Sequence, residues 1–291
     1  MTVRPTPLAR LAVRSLYQEL ALYPKPGLVS LVDRGAHHDM DAGTFVRSLF
    51  ALRHHFAAMA VAGAAGVPFA TLQRLGLAAE ADMLRATGGV NTHRGAIFSI
   101  GLIAAAAAHL ASNDTMPDDT ALRGTLRRLW GAALDRFEAP YPGAHGEMVR
   151  RRHGCGGARA EARAAFPAVF EVALPALRHA RARGASPARA RLAALFALLG
   201  SVQDTNVLYR AGARGLAMMH HEAHRFAAAG GVLAPDALGR AESIHRRFVT
   251  EGISPGGCAD LLAAALFVDG VQASAPRVHI TRRAVAMPEP A

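Results

Sequence analysis

Apolar residues recur at helical spacing along almost the whole chain, and this pattern constrains the fold more than any other feature. In the segment Leu8–Leu22, for example, Leu16 and Leu20 lie on one helical face. Similar segments, bounded by glycine, proline or capping residues, are Thr44–Ala65, Phe69–Ala86, Gly95–Leu110, Asp118–Phe137, Ala158–Arg183, Pro187–Gly200, Thr205–Ala229, Pro235–Thr250 and Pro255–Asp269. Aromatic residues make up only 6% of the chain, so the core has to be built from Ala, Leu and Val, which favours closely packed helices. The sequence therefore predicts an all-α fold, a bundle of about ten helices.

No linker rich in Pro, Ser or Gly divides the 291 residues. We therefore predict one domain over residues 1–291, with a core at about residues 8–272, a tail at 273–291 and functional loops at one end of the bundle. Pro167 and Pro175 are expected to break the helix Ala158–Arg183. Only Val278–Val285 alternates like a strand, and one short strand cannot form a sheet.

The charge of the chain favours anionic ligands. The 33 Lys and Arg residues outnumber the 22 Asp and Glu residues, and Lys25 is the only lysine, so 33 − 1 = 32 of the cations are Arg. Arg grips phosphate through two hydrogen bonds, which suits nucleotides and coenzymes, although an Arg-for-Lys drift in a biased genome is the favoured explanation for most of these arginines. Because we see no basic stripe interleaved with aromatics and no zinc-finger or RNA-binding motif, nucleic acid is not an expected partner.

Cysteine usage and hydropathy predict a cytoplasmic protein outside the membrane. Cys155 and Cys258 form neither a CxxC pair nor a disulfide framework, which is typical of a reducing compartment. The N-terminus lacks the long apolar run of a signal peptide. The apolar run Ile100–Ala111 is shorter than the roughly 20 residues that a membrane span needs, so it predicts a buried core helix.

Five polar segments interrupt the helical pattern, and the first two adjoin. In Pro24–Gly27 two prolines flank the only lysine, and the glycine permits an unusual turn. The next segment, Asp33–Asp41, places three acids, two histidines and an arginine within nine residues, a density that suits metal-phosphate binding or acid–base chemistry. The alternative is structural, because Asp39 or Asp41 could cap the helix that begins near Thr44.

The other three segments also precede helices. Thr87–Gly95 leads into the most apolar helix, whose free N–H groups suit phosphate, although Asn91 or Thr92 could simply cap it. The fourth segment is the glycine-rich stretch Gly143–Arg159, which fits an anion-binding nest and a solvated basic loop equally well. Gln203–Asn206 and Ser254–Asp260 look like helix starts with exposed side chains, where capping is again the alternative.

Several enzyme classes are excluded by missing motifs. A P-loop NTPase needs Gly-Lys-Ser/Thr, and the only lysine lies between two prolines. The cluster His220–His224 has its glutamate two residues after the first histidine, so it is not a zinc-binding HExxH motif. The serine-hydrolase sequence Gly-x-Ser-x-Gly is absent.

Taken together, the polar segments resemble the triphosphoribosyl-dephospho-CoA synthase family. The motifs that carry this resemblance are Pro24–Val29, Gly35–Met40, Gly89–Ser99, Gly157–Arg159, Asp204–Asn206 and Ser254–Gly257. It covers roughly residues 15–270. The resemblance implies that ATP gives its 5-triphosphoribosyl group to the 2′-hydroxyl of 3′-dephospho-CoA and that adenine leaves. The product would pass to the transferase that loads the acyl-carrier subunit of malonate decarboxylase.

One departure concerns the branch of the family. Citrate-lyase members typically continue Pro-Lys-Pro-Gly-Leu-Val with Asp-Arg, whereas this chain has Ser30 and Leu31, as in the malonate-decarboxylase branch. If the citrate-branch aspartate binds metal, Ser30 cannot replace it as an anion. In that case Asp33, Asp39 or Asp41 would have to do so.

The resemblance implies roles for particular residues. A triphosphate usually brings Mg²⁺, for which Asp39 and Asp204 are the metal candidates and Asp41 is the next. Lys25, Arg94 and Arg159 are candidates to clamp phosphate. His37 or Asp39 would be the base, with Asp41 and His93 as further catalytic candidates, while Asn91 and His93 could position ribose or adenine. The remaining motif residues expected to bind substrate are Gly27, Ser30, Thr92, Asn206, Ser254 and Gly256.

Two other functions stay open at this point. A non-catalytic helical protein that binds CoA or a nucleotide would have little use for acids beside its basic loops. A hydrolase of the N-glycosidic bond of ATP would use water in place of the acceptor hydroxyl. The sequence also leaves the oligomeric state open, a homodimer included.

Overall fold

The computed structural model describes residues 7–137, 149 and 154–274. These residues form eleven α-helices and no strand. In chain order the α-helices are α1 (Pro7–Leu20), α2 (Ala42–Ala64), α3 (Phe69–Thr87), α4 (Arg94–Ser112), α5 (Asp119–Arg136), α6 (Gly157–Arg163), α7 (Leu174–Ala182), α8 (Pro187–Ser201), α9 (Thr205–Ala228), α10 (Ala237–Thr250) and α11 (Gly256–Ser274). The predicted all-α fold is confirmed. The predicted strand Val278–Val285 and most of the stretch Gly143–Arg159 lie outside the described residues.

Side-chain and glycine caps explain why the helices begin and end close to the predicted positions. Asp41 precedes α2 and accepts a hydrogen bond from the N–H of Thr44, forming a capping box. Asp118 caps α5 in a similar way. Gly88 ends α3 in the left-handed conformation, which costs glycine little. These caps are local, so the sequence alone predicts them well.

The region around the two prolines differs from its prediction. Pro167 does separate two helices: α6 ends near Arg163, and a π-helical stretch, Ala168–Ala173, follows the proline. The expected break at Pro175 is wrong, because the π-helical stretch runs directly into α7. Pro175 lies in the first turn of α7, a position at which helices commonly accept proline.

Helix α9 bends where the sequence predicts a continuous helix. Gly212 has φ +63° and ψ −166°, which is not helical, so α9 consists of two helical pieces joined at a kink. Glycine reaches this conformation without the steric penalty of a side chain. The sequence did not predict this kink, because a single glycine within a helical pattern does not distinguish a bent helix from a straight one.

Helix α4 forms the centre of the bundle. It packs against α1, α2, α3, α5 and α11. Its residues Ala104–Ala107 are at most 1% exposed, so the helix is buried on all sides. The predicted core helix is confirmed: the helical segment predicted at Gly95–Leu110 is observed as the 19 residues Arg94–Ser112. By length and composition alone, α4 and α11 could each cross a membrane, with 72% and 56% of their apolar windows buried inside the protein.

A glycine allows α2 and α4 to approach closely, and we expect its replacement to destabilise the fold. A Cβ at Gly63 would lie 2.2 Å from the carbonyl oxygen of Ala105, so Gly63→Ala must push the two helices apart. We expect the free energy of unfolding to fall by about 1–3 kcal/mol in urea denaturation. Gly124→Ala in α5 is the control, because nothing lies within 4 Å of its Cβ position. That variant should be neutral or up to about 1 kcal/mol more stable, and equal losses in both would contradict the packing argument.

Candidate active site

The loops that precede α2, α4, α6, α9 and α11 meet around one large cavity. Its volume of about 1270 Å³ exceeds the roughly 300–1,000 Å³ of typical small-molecule sites, so it has room for more than one nucleotide-sized ligand. Of the residues predicted to form the site, Gly27, Ser30 and Asp41 do not line it, and neither does Asp33, which was considered as a replacement metal ligand. Those that line it are Lys25, His37, Asp39, Asn91, Thr92, His93, Arg94, Arg159, Asp204, Asn206, Ser254 and Gly256.

His37 lies between a carboxylate and a hydroxyl group in the cavity wall. Its Nε2 is 2.7 Å from Oγ of Ser254, which precedes α11, and its Nδ1 is 3.2 Å from Oδ1 of Asp39. Burial and the nearby charge of Arg210 lower the pKa of His37, although Asp39 opposes the shift. Arg210 itself is held by a hydrogen bond of 2.6 Å to the carbonyl oxygen of Ala36. Together these contacts hold the His37 ring in place. The lowered pKa favours the uncharged imidazole, which can accept a proton.

Asp204 joins the starts of two helices. Its Oδ1 accepts hydrogen bonds from the N–H groups of Asn206 and Val207 in α9, and its Oδ2 accepts one of 2.8 Å from the N–H of Cys258 in α11. The residue is only 1% exposed. Each carboxylate oxygen is thus already bonded to the backbone. The structure thus shows Asp204 as a helix cap, which was the alternative interpretation of this segment.

Lys25 is completely buried and paired with a carboxylate. Its Nζ lies 2.5 Å from Oε1 of Glu19 and donates a second hydrogen bond of 3.0 Å to the Glu19 carbonyl oxygen. Burial lowers the pKa of Lys25 and raises that of Glu19. Both side chains border the cavity. Because Lys25 is completely buried, it lies just beneath the cavity surface, as one half of an internal ion pair. To clamp phosphate, Lys25 would have to move away from Glu19 or contact Glu19 and the phosphate together.

In the turn after Lys25, Gly27 and Ser30 face the protein rather than the cavity, whereas Leu28 and Val29 line it. Gly27 has φ +68°, and a Cβ there would lie 2.0 Å from the carbonyl oxygen of Ile253, so only glycine fits. Oγ of Ser30 accepts hydrogen bonds from the N–H groups of Val32 and Asp33. Gly27 and Ser30 therefore shape the loop that carries the neighbouring motif residues, and the structure shows neither of them on the cavity wall.

His245 of α10 also contacts this turn. Its Nδ1 is 2.9 Å from the carbonyl oxygen of Lys25, and its Nε2 is 3.0 Å from Oδ2 of Asp33. Its side chain is only 4% exposed. The residue links the Pro24–Gly27 turn to the acidic loop that follows it.

The loop before α4 supplies a neutral histidine to the cavity. Nδ1 of His93 lies 2.7 Å from Oγ of Ser48, and burial lowers the pKa of His93 to about 3, with the charge of Lys25 as a second cause. The imidazole is therefore uncharged at neutral pH. This suits a hydrogen-bonding role in substrate recognition better than proton donation.

The N-terminus of α4 is already satisfied by protein groups. Oδ1 of Asn91 accepts a hydrogen bond from the N–H of Arg94, and the carboxyl group of Asp260 accepts those of Gly95 and Ala96. The N–H groups expected to bind phosphate therefore have partners within the chain. The side chain of Arg94 also has one, an ion pair with Glu80.

The cavity walls contain more acidic than basic side chains. Seven acidic side chains line it against four basic ones. The acids are Glu19, Asp39, Glu80, Glu161, Glu171, Asp204 and Asp260, and the bases are Lys25, Arg94, Arg159 and Arg210. A triphosphate in such a site needs added positive charge, which Mg²⁺ commonly supplies. The basic residues Arg150–Arg152 lie outside the described part of the chain.

Asp39 is the better metal candidate of the two predicted carboxylates. Its side chain is 60% exposed and lines the cavity, whereas both oxygens of Asp204 accept backbone hydrogen bonds. Proteins often hold Mg²⁺ through only one or two carboxylates, with substrate phosphates and water completing the shell. Among the described residues, no group of three or more His, Cys, Asp or Glu side chains has the arrangement of an all-protein metal site.

Asp41 lies apart from the cavity and caps α2, as its structural alternative predicts. Its hydrogen bonds from Thr44 lower the pKa of its carboxyl group. Among the cavity residues to which sequence reasoning gave no role are Glu19 and Asp260, although Asp260 ends the polar segment Ser254–Asp260. Their signal was present, because each is a carboxylate within an apolar helical pattern, where an unpaired charge is rare.

Comparison with known proteins places the chain in a family. The family model CitG, described as ATP:dephospho-CoA triphosphoribosyl transferase, matches residues 5–278. A relative from Pseudomonas fluorescens is 43% identical over 92% of this chain and 94% of its own length. A relative from Stutzerimonas stutzeri is 44% identical over 92% and 93%, and one from Acinetobacter calcoaceticus is 36% identical over 89% and 88%.

All three relatives carry the name "Probable 2-(5''-triphosphoribosyl)-3'-dephosphocoenzyme-A synthase". No solved structure matches the chain. The family match spans nearly all of the residues that surround the cavity, and it confirms the resemblance drawn from the motifs. The chain belongs to the CitG family of ATP:dephospho-CoA triphosphoribosyl transferases.

Proposed function

We propose that the protein transfers the 5-triphosphoribosyl group of ATP to the 2′-hydroxyl of 3′-dephospho-CoA and releases adenine. The observation that carries this proposal is that the family motifs, which are far apart in the chain, come together around one cavity. The size of the cavity supports simultaneous binding of a donor and an acceptor nucleotide.

His37 is the proposed base for the acceptor hydroxyl. Displacing adenine from the anomeric carbon passes through an oxocarbenium-like transition state, and the attacking hydroxyl has to lose its proton. Nε2 of His37 now contacts Oγ of Ser254, so a substrate hydroxyl can occupy an equivalent position on the cavity side. Asp39 holds the opposite ring nitrogen and thereby fixes the orientation of the imidazole.

We also propose that Mg²⁺ accompanies ATP and that Asp39 is its protein ligand. When bound, the ion would neutralise triphosphate charge in a cavity that acidic side chains dominate. Arg159 and Arg210 line the same cavity and supply the fixed positive charge of this region. The charges of Lys25 and Arg94 are partly offset by their ion pairs with Glu19 and Glu80.

Replacing Asp39 with asparagine tests the metal role. We expect the Mg²⁺ concentration for half-maximal activity to rise about 10- to 100-fold, because an anionic ligand is lost. Asp41→Asn is the matched control: it removes the same charge two residues away, outside the cavity, and asparagine still caps a helix. Mg²⁺ titration of the two variants should therefore differ, and equal curves would contradict a metal role for Asp39.

The proposal includes the malonate-decarboxylase branch, which Ser30 indicates. In this branch the product would pass to the enzyme that loads the acyl-carrier subunit of malonate decarboxylase. The Ser30 side chain is 1% exposed and caps its own turn, so Ser30 shapes the loop rather than the cavity wall. Because the product is the same compound in both branches, disruption of the gene in its own organism tests the branch. Loss of malonate decarboxylase activity, with any citrate lyase activity retained, is the expected result.

Release of free adenine separates the proposed function from its rivals. The protein is incubated with ATP and Mg²⁺, with and without 3′-dephospho-CoA, and adenine is quantified by chromatography. Release that depends on the acceptor is expected. Release without the acceptor would indicate a hydrolase of the N-glycosidic bond, and the absence of release under both conditions would indicate a binding protein.

A further inference from the structure

The cavity wall at the start of α4 contains polar atoms that the fold leaves without a partner. Oγ1 of Thr92, Nε2 of His93 and Oγ of Ser99 are buried, and none of them has a hydrogen-bond partner among the described residues. All three residues line the cavity, and His93 and Ser99 are each only 2% exposed. Buried polar groups nearly always have partners, so three such atoms on one wall indicate positions kept for a ligand.

The carboxyl group of Asp260 adjoins this wall. The N–H groups of Gly95 and Ala96 donate hydrogen bonds to it from the first turn of α4. Gly95 provides the space, because a Cβ there would lie 2.2 Å from Oδ2 of Asp260. Asp260 lines the cavity without any cationic partner among the ion pairs of the described residues.

The surroundings of Asp260 favour its protonated form. Burial raises the pKa of this carboxyl group well above its usual range, and the negative charges of Glu19 and Asp204 act in the same direction. A protonated carboxyl group keeps one oxygen to accept the N–H groups of α4. Its O–H remains available to donate to a ligand in the cavity.

We propose that Thr92, His93, Ser99 and Asp260 form the subsite for the purine base of the donor nucleotide and that Asp260 protonates the departing base. The inference rests on the proposed function, since the base departs only if its N-glycosidic bond is broken. A purine with an amino group offers both acceptors and donors around its rings. The hydroxyl groups of Thr92 and Ser99 can each donate or accept, and the neutral His93 can match either kind of atom.

The atoms and charges of the step balance as follows. The bond between C1′ and N9 breaks, and its electron pair goes to the purine. The proton of the Asp260 carboxyl group moves to a ring nitrogen of the base, which leaves as a neutral purine. The oxygen of the acceptor hydroxyl bonds to C1′, and its proton goes to Nε2 of His37. Asp260 is then a carboxylate and His37 an imidazolium, and proton exchange with water after product release restores both.

The test compares two donors in the variant Asp260→Asn. One donor is ATP, and the other is a ribose 5-triphosphate with 4-nitrophenoxide at C1′, a group that leaves without protonation. With dephospho-CoA as acceptor, we expect adenine release to fall about 10²- to 10⁴-fold. Release of 4-nitrophenol should fall by less than about tenfold, because general acid catalysis is not needed there. Equal losses with both donors, or no loss with ATP, would overturn the assignment.

A second variant tests the subsite without relying on catalysis. Ser99→Ala removes a hydroxyl group that has no partner among the described residues, so the fold should be retained. We expect the Kd of ATP to rise about threefold to tenfold, the usual effect of one lost hydrogen bond, while the Kd of inorganic tripolyphosphate stays unchanged. Unchanged ATP affinity, or an equal change for both ligands, would overturn the subsite.

The two proposals can fail separately. If the wild-type protein releases no adenine from ATP in the presence of dephospho-CoA, the proposed function falls and the role of Asp260 falls with it. If the wild type is active and Asp260→Asn is equally active with ATP, only the role of Asp260 is overturned.

Discussion

Replacing His37 with alanine is expected to lower kcat for acceptor-dependent adenine release by about 10²- to 10⁴-fold, the usual contribution of a general base. Nε2 of His37 lies in the cavity wall 2.7 Å from Oγ of Ser254, where it can reach a substrate hydroxyl. The measurement is steady-state kinetics at saturating ATP and dephospho-CoA. Added imidazole should restore part of the lost rate, because it can enter the space that the shorter side chain leaves.

Ser254→Ala is the control for this prediction. It removes the hydroxyl group that now contacts His37 and leaves the imidazole and its contact with Asp39 in place. We expect kcat to change by less than about tenfold, since a lost neutral hydrogen bond is a modest effect. A loss as large as that of His37→Ala would show that Ser254 itself takes part in the chemistry. A weak effect of His37→Ala with no response to imidazole would contradict the base assignment.

Replacing Glu19 with alanine is expected to lower the free energy of unfolding by about 3–5 kcal/mol, because it leaves the charge of Lys25 buried without its partner. Lys25 is 0% exposed, and Nζ contacts Glu19 at 2.5 Å. Urea denaturation followed by circular dichroism measures the loss. The exposed pair of Arg246 and Glu242 provides the control, and Glu242→Gln should cost less than about 1 kcal/mol.

The double variant Glu19→Gln, Lys25→Met separates the two roles of the lysine. Replacing both charges with uncharged side chains should recover most of the stability that Glu19→Ala loses, because no buried charge is left unpaired. If Lys25 serves only the fold, the double variant should bind ATP with nearly unchanged Kd. A rise of tenfold or more would show that the lysine also contacts the triphosphate, as the motif predicts.

The helices could be predicted because their signals are local. The apolar pattern and the caps of α4 predict Gly95–Leu110, and the structure has Arg94–Ser112. The same patterns do not show which helices are neighbours, so the contact of Gly63 with Ala105 was not predictable. The kink at Gly212 and the continuous passage through Pro175 were missed as well.

For the site, the sequence indicated the loops more reliably than the role of each side chain. His37, Asp39 and His93 do line one cavity, as their shared motifs predict. The partners that define their chemistry come from distant helices, such as Ser254 for His37 and Ser48 for His93. Burial is another property that a motif does not reveal. A lysine between two prolines looks exposed in sequence, but Lys25 is buried against Glu19 because α1 presents a carboxylate on its apolar face.

The measurement that tests the central claim most directly follows the two halves of ATP separately. ATP with tritium on the adenine ring and an isotope label in the ribose is incubated with the protein, Mg²⁺ and 3′-dephospho-CoA. The account predicts that tritium appears only in free adenine, while the ribose label appears in a dephospho-CoA product that retains all three phosphates, in equal amounts. Ribose label in free ribose triphosphate, or tritium in the CoA product, would contradict transfer of the triphosphoribosyl group.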